Sequence, residues 1–408
     1  MAKIDGCRSC GNEHLVPVLD LGQMPLADRF LTEEGLNQPE PMYPLEAVLC
    51  ETCGLVQITE TVDPEVLFAD RYPYYSSVSD ALLKHSRENV SELIEARGLG
   101  EDSLVVELAS NDGYLLRNYV EHRIPVLGID PAEGPATEAE KVGVRTLNAF
   151  FSKALADELR DEGLQADVVH ANNVLAHVAD TNGFVAGIAS LLKETGVAVI
   201  EVPYLRDLID HCEFDTIYHE HLCYFSVSAL DHLFKRHGLF LNDVRRLSIH
   251  GGSLRLFVGK VEERSAAVMD LLRDEAEAGL CGREYFVDFR TRVDGLKTDL
   301  LRLIDGLLKD GARIAGYGAA AKGSTLINFL GLGVDRVKYV VDRNVHKQGC
   351  YTPGQHQPIY APEKLIRDQP DYVLVLPWNF SDEIVEQQSR YREQGGRFII
   401  PIPKPHIV

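Results

Sequence analysis

The sequence predicts an α/β chain in three parts. These are a small cysteine-bearing segment over residues 1–68, a doubly wound unit over 69–260 and a second, Rossmann-like unit over 261–408. Three observations carry the prediction. Two C-x2-C pairs are confined to the first part, apolar strands alternate with helical patterns from Leu104 onward, and a strand, glycine turn and helix recur after Ala312. A length of 408 residues suits two or three domains, and 45% hydrophobic residues supply ample core.

In the first part, "CRSC" (Cys7, Cys10) and "CETC" (Cys50, Cys53) each place glycine directly after the second cysteine. Glycine there lets the backbone curl so that its amides approach the thiolates, the knuckle of a zinc ribbon. Four thiolates close a tetrahedral shell, so the expected Zn2+ is structural. Eight cysteines in a chain without an apolar leader point to metal binding or burial rather than to a disulfide framework.

In the second part, "DSLVVELASNDGYLL" reads as a strand, Leu104 to Leu108, a small-residue turn and a helix starting near Tyr114. "IPVLGIDPA" is a strand ending in Asp130, and "ADVVHANNVLAHVAD" and "GVAVIEVPY" supply two more. Such alternation implies a parallel sheet covered on both faces, with ligands at the carboxyl ends of its strands. The third part follows a helical stretch, roughly Ala266 to Asp310. Its strands are expected in "ARIAGYG", "VKYVVD" ending at Asp342, "PDYVLVL" and "RFIIPIP".

The net charge of −21 disfavours nucleic acid and anionic membranes as partners, because a phosphate surface needs a basic face. No apolar run reaches the roughly 20 residues that span a bilayer. The expectation is a cytoplasmic protein, a monomer or weak oligomer.

The turn after the first strand lacks G-x-G-x-x-G; only Gly113 is a glycine. It offers Glu107, Ser110, Asn111 and Asp112, with Asp130 closing the next strand, placed to accept from ribose hydroxyls. This pattern resembles the class I S-adenosylmethionine-dependent methyltransferases, whose cofactor carries a cationic sulfonium that an acidic turn suits. Asn172 and Asn173 would then lie beneath its methionine part. Acids after strands are also common in α/β folds without that ligand. "GYGAAAKGS" (Gly316, Gly318, Lys322, Gly323, Ser324) fits either a phosphate or nucleotide-sugar site or a ligand-free Rossmann-like unit.

"TIYHEHLCYFS" is the densest polar stretch. Read as extended chain, it puts Tyr218 and Glu220 on one face and His219 and His221 on the other. A metal site, an acid–base set and a satisfied polar cluster are all compatible with it.

With "RYPYYSS", "NNVLAHV", "EVPY", "HGGSLR" and "GYGAAAKG" in order, the whole chain resembles the bacterial nucleotide-sugar C-3 C-methyltransferases of deoxysugar biosynthesis. The resemblance implies a dTDP-linked 4-keto-deoxyhexose substrate and a base, His221, that removes the C-3 proton. Glu220, Tyr218, Tyr72 and His177 would surround the sugar, and Ser253, Lys322 and Ser324 would contact the substrate. A nicotinamide-dependent oxidoreductase using Asp342 is the alternative reading.

Overall fold

The computed structural model describes residues 2–69 and 74–408. Tyr72, expected beside the sugar, lies outside them. Three principal sheets organise the described residues.

The first is antiparallel and four-stranded. Val16–Met24, Tyr43–Leu49 and Val56–Ile58 come from the cysteine-bearing segment. Its fourth strand, Cys223–Tyr224, is supplied by the central unit, pairing Cys223 with Gln57 and Tyr224 with Val56. The Ile58 amide extends the join by donating to the Leu222 carbonyl at 3.0 Å.

The central sheet has seven strands in the order Phe240–Leu247, Ser253–Gly259, Leu192–Pro203, Ala166–Asn172, Val105–Leu108, Val126–Ile129 and Thr146–Leu147. The last five in that order are parallel, whereas Ser253–Gly259 runs antiparallel to both of its neighbours. The chain order reverses between Val105–Leu108 and Ala166–Asn172, which makes the crevice outside their carboxyl ends the expected ligand position. The helix expected from Tyr114 begins at Arg117 and ends at Glu121; residues 114–116 form the turn that feeds it.

Helices Ala266–Ala278 and Phe289–Lys309 lead into the third unit. Phe289, Val293, Leu296, Leu300 and Ile304 are buried along the longer helix, at the three- and four-residue spacing of one helical face. The third sheet has the order Ile359–Tyr360, Val340–Val341, Ile314–Tyr317, Tyr372–Val375, Arg397–Ile400 and His406–Ile407. All its strands are parallel except the last. Its order reverses between Ile314–Tyr317 and Tyr372–Val375.

Candidate active site

One cavity of about 710 Å³ opens at both reversal points. Asn111, Asp130, Asn172 and Asn173 face it from the central sheet, and Ala320, Lys322, Pro377 and Asn379 from the third. Asp28 of the cysteine-bearing segment and the loop from Thr216 to His221 complete the wall.

That loop is a turn, not extended chain. The His221 amide donates to the Tyr218 carbonyl at 2.9 Å, so residues three apart share a side and the expected alternation fails. His221 stacks on Tyr218, with ring centroids 4.1 Å apart and Nε2 2.9 Å from the phenol oxygen. On the other side of the ring, Nδ1 lies 3.0 Å from the Thr216 carbonyl. A carbonyl only accepts, so Nδ1 carries the proton and Nε2 is the basic nitrogen.

His177 meets His221 edge to face at 4.7 Å and donates Nδ1–H to the Glu220 carbonyl at 2.5 Å. Burial pulls His177 down to about 4, which keeps it neutral. Its neighbour His219 points away from the cavity, with Nε2 3.0 Å from the Pro44 carbonyl. Glu220 turns toward the cysteine-bearing segment, accepting from the Asp28 amide at 3.2 Å. Burial, together with the charge of Asp28, pushes Glu220 up to about 8, and its Oε2 is buried without a partner among the described residues. Asp28 is the residue that sequence reading missed. Only the buried run Met24–Ala27 before it hinted that the segment enters the interior.

The crevice of the central sheet is tightly made. Ala109, Asn111 and Asn173 all adopt positive φ (56°, 49° and 53°), a strain that clusters at functional turns. Both Asp130 oxygens accept amides, from Asn111 and Ala132, each at 2.8 Å. Second lone pairs on those oxygens remain for a ribose. Asn111 and Asp112 hold the segment Tyr74–Ser77: Asn111 Oδ1 accepts from the Ser76 amide at 2.8 Å, and Asp112 Oδ2 from the Ser77 hydroxyl at 2.6 Å. Asn173 presents a buried carbonyl oxygen, unpaired among the described residues, to the cavity, an acceptor suited to a methionyl ammonium. These features fit S-adenosylmethionine.

Several expected contacts stand back from the cavity wall. Glu107 is buried in its strand, where desolvation raises it well above the usual carboxylate range. Ser110 packs against Gly128, and Gly113 against Val142 and Val144. Ser253 donates to the Ile249 carbonyl at 3.1 Å, and the Ser324 hydroxyl is buried within its helix.

The glycine turn of the third unit is packed, not open. A Cβ at Gly316 would meet Val340 at 3.0 Å, at Gly318 it would meet Pro377 at 2.4 Å, and at Gly323 Leu376 at 2.6 Å. Both Asp342 oxygens accept backbone amides, from Ala319 and Asn344, each at 2.7 Å. A dinucleotide needs the backbone of that turn open to its pyrophosphate, and the turn is filled by side chains, so the oxidoreductase alternative has no support here.

The four expected zinc ligands converge, with all sulfurs within 4.8 Å of one another. Cys10 and Cys50 lie 3.4 Å apart, and Cys7 and Cys53 3.5 Å. Tetrahedral zinc at about 2.3 Å from each sulfur would space them about 3.8 Å apart, so the corner fits with little adjustment. The knuckles form as expected: Gly11 and Gly54, at φ 74° and 72°, donate to the Cys7 and Cys50 carbonyls, each at 2.8 Å. As bare thiols they compete. The Cys53 hydrogen bond pulls Cys7 down to about 4, while burial pushes Cys50 up to about 11. A divalent cation lets all four ionise together.

Sheet order, crevice and thiolate corner define a class I S-adenosylmethionine-dependent methyltransferase carrying a structural zinc centre. Family models agree segment by segment. A zinc binding domain matches residues 7–68, a methyltransferase domain 82–242, and a C-methyltransferase C-terminal domain 248–403. C-methyltransferase NovU of Streptomyces niveus is 36% identical over 408 residues, covering 99% of this chain and 97% of that protein. The chain belongs to this family of C-methyltransferases. A ubiquinone biosynthesis O-methyltransferase of Azorhizobium caulinodans is 27% identical over 127 residues, 30% of this chain and 47% of its own. Magnesium protoporphyrin IX methyltransferase of Synechocystis superposes at a TM-score of 0.35 with 16% identity, over 45% of this chain and 85% of that one. Among the described residues no helix is long and apolar enough to cross a membrane.

Proposed function

We propose that the chain methylates C-3 of a dTDP-linked 4-keto-deoxyhexose and that His221 is the base. The observation that carries this reading is the His221–Tyr218 pair, with Nε2 directed to the phenol in the same cavity that the Asn111, Asp130 and Asn173 crevice opens into.

A 4-keto group makes the C-3 hydrogen acidic. His221 Nε2 takes that proton, and the C–H electron pair moves onto the keto oxygen as an enolate. Glu220 is mostly protonated at neutral pH, so it donates a hydrogen bond to the developing oxyanion rather than repelling it. His177 stays neutral and buttresses the loop through the Glu220 carbonyl. Bound S-adenosylmethionine supplies an electrophilic methyl group on sulfur. The C-3 enolate would take that methyl group, with S-adenosylhomocysteine as the other product. Asn111, Asp130, Asn172 and Asn173 would hold the donor beside the acceptor, and alignment of the two lowers the barrier by removing orientational freedom. The zinc centre takes no part in the chemistry. It fixes the segment that delivers Asp28.

The test is incubation of dTDP-4-keto-6-deoxyhexoses with the protein and S-adenosylmethionine. The expected result is a gain of one methyl by mass spectrometry and loss of the C-3 hydrogen by NMR. A methyl at another ring carbon would move the acidic position. No product from any of the sugars, with donor binding confirmed, would remove this sugar class.

A further inference from the structure

Of the consecutive residues Tyr218, His219, Glu220 and His221, all line the cavity except His219. That ring is wholly buried and turned away, and the Tyr43 ring meets it edge to face at 5.7 Å. Its Nε2 stands 3.0 Å from the Pro44 carbonyl. A carbonyl only accepts, so Nε2 carries the proton. Burial pulls the ring below the usual histidine value and keeps it neutral. Such a ring reaches no substrate. What it reaches is the sheet of the cysteine-bearing segment.

Pro44 belongs to the strand Tyr43–Leu49, and the residue after that strand, Cys50, is one of the four thiols of the zinc corner. The trailing end of the catalytic loop is fastened to the same sheet through backbone alone. The Ile58 amide donates to the Leu222 carbonyl at 3.0 Å, and Cys223 pairs with Gln57. His219 is the side-chain anchor at the leading end. Without its N–H the Pro44 carbonyl would lose that donor, and the turn would hang from the sheet by its trailing end only.

We infer that His219 is a positioning residue for methyl transfer: its Nε2–H hangs the turn Tyr218–His221 from the zinc-braced sheet and so keeps His221 on the Thr216 carbonyl and the Tyr218 phenol. The inference deepens the reading of His221 as the base and rests on it. His219 touches no reacting atom and acts through the ring two residues on.

The test compares two amides that differ by one methylene, each in the zinc-loaded, full-length protein. The amide nitrogen of glutamine can stand where Nε2 stands, whereas that of asparagine stops at the position of Nδ1. NMR of nitrogen-labelled histidines, with S-adenosylhomocysteine bound, reads the His221 ring directly; its signals are those lost in His221→Asn. Wild type and His219→Gln should show one His221 tautomer, protonated on Nδ1, and His219→Asn a mixture of two. In methyl-transfer assays kcat should fall about tenfold to a hundredfold in His219→Asn, with KM for the sugar within about twofold, and His219→Gln should recover most of it. Adding His219→Asn to His221→Asn should cost less than about twofold more, because the ring it positions is already gone.

An unchanged His221 signal in His219→Asn overturns the inference, and so does a glutamine variant no better than the asparagine one. An asparagine variant that no longer binds S-adenosylhomocysteine also overturns it, since the residue would then hold the fold rather than the loop. Failure of the base reading looks different: His221→Asn alone would turn over near the wild-type rate, whatever His219→Asn does to the NMR signals.

Discussion

His221 shows how much chemistry a short turn can set. Its Nδ1 is committed to the Thr216 carbonyl and its Nε2 to the Tyr218 phenol, so the tautomer required of a base is fixed before substrate arrives. Replacing it with asparagine should cut methyl transfer by about 10²–10⁴-fold, the usual worth of a general base. Affinity for S-adenosylhomocysteine, measured by calorimetry, should stay within about twofold. Turnover near the wild-type rate would give the role to another residue. His221 was legible in the sequence as part of a polar cluster, but its partners were not. The period-2 reading paired the wrong residues because no strand forms until Cys223, and the Tyr218–His221 pairing depends on a turn closed by one amide. Asp28 was invisible for a plainer reason: its partner Glu220 lies about two hundred residues away along the chain.

At the scale of elements, the two-residue strand Cys223–Tyr224 has consequences beyond its size. It begins two residues after His221 and belongs to the sheet that the cysteine knuckles brace. The purified chain should carry about one zinc, measurable by elemental analysis. Cys50→Ser should lower both that stoichiometry and methyl transfer, while binding of S-adenosylhomocysteine to the central crevice survives. Full activity in a zinc-free, folded variant would separate the sheet from the loop it carries. The glycine turn makes a second prediction. Gly318 sits at φ 85° with Pro377 against it, so Gly318→Ala should destabilise the fold by about 1 kcal/mol or more, read as a lower melting temperature. The cysteine spacing and the strand–helix alternation were legible because they are local patterns. The packed state of the glycine turn was not, since Leu376 and Pro377 reach it from just beyond a strand more than fifty residues further on.

For the whole molecule, buried titratable groups set the response to pH. His177, at about 4 when folded, takes up a proton more readily once unfolded, so its contribution raises stability from about pH 4 to its ordinary value of 6.5. Glu213 and Glu220, each at about 8 when folded, hold protons that the unfolded chain has released above about 4.5. Their contribution therefore falls as pH rises from about 4.5 to 8 and is level beyond. Between pH 6.5 and 8 His177 no longer adds a slope, and Glu213 and Glu220 pull the melting temperature down across that window against the opposite slope of the Cys7 thiolate. Glu220→Gln, which carries no titrating proton, should flatten the drop, as differential scanning calorimetry would record. An unaltered slope would locate the protons elsewhere.

The central and third sheets turn the reversal points of their parallel strands toward one cavity, and they contribute separate walls to it. A division of labour between inherited parts follows. On the proposed reading the central unit holds the methyl donor and the His221 loop that meets the reacting carbon, while the third unit walls the far side of the acceptor. A chimera that exchanges residues 261–408 for those of a relative should therefore keep its donor and its site of methylation while changing its preference for the part of the acceptor that the third unit walls, an outcome that competition between two labelled nucleotide sugars would reveal.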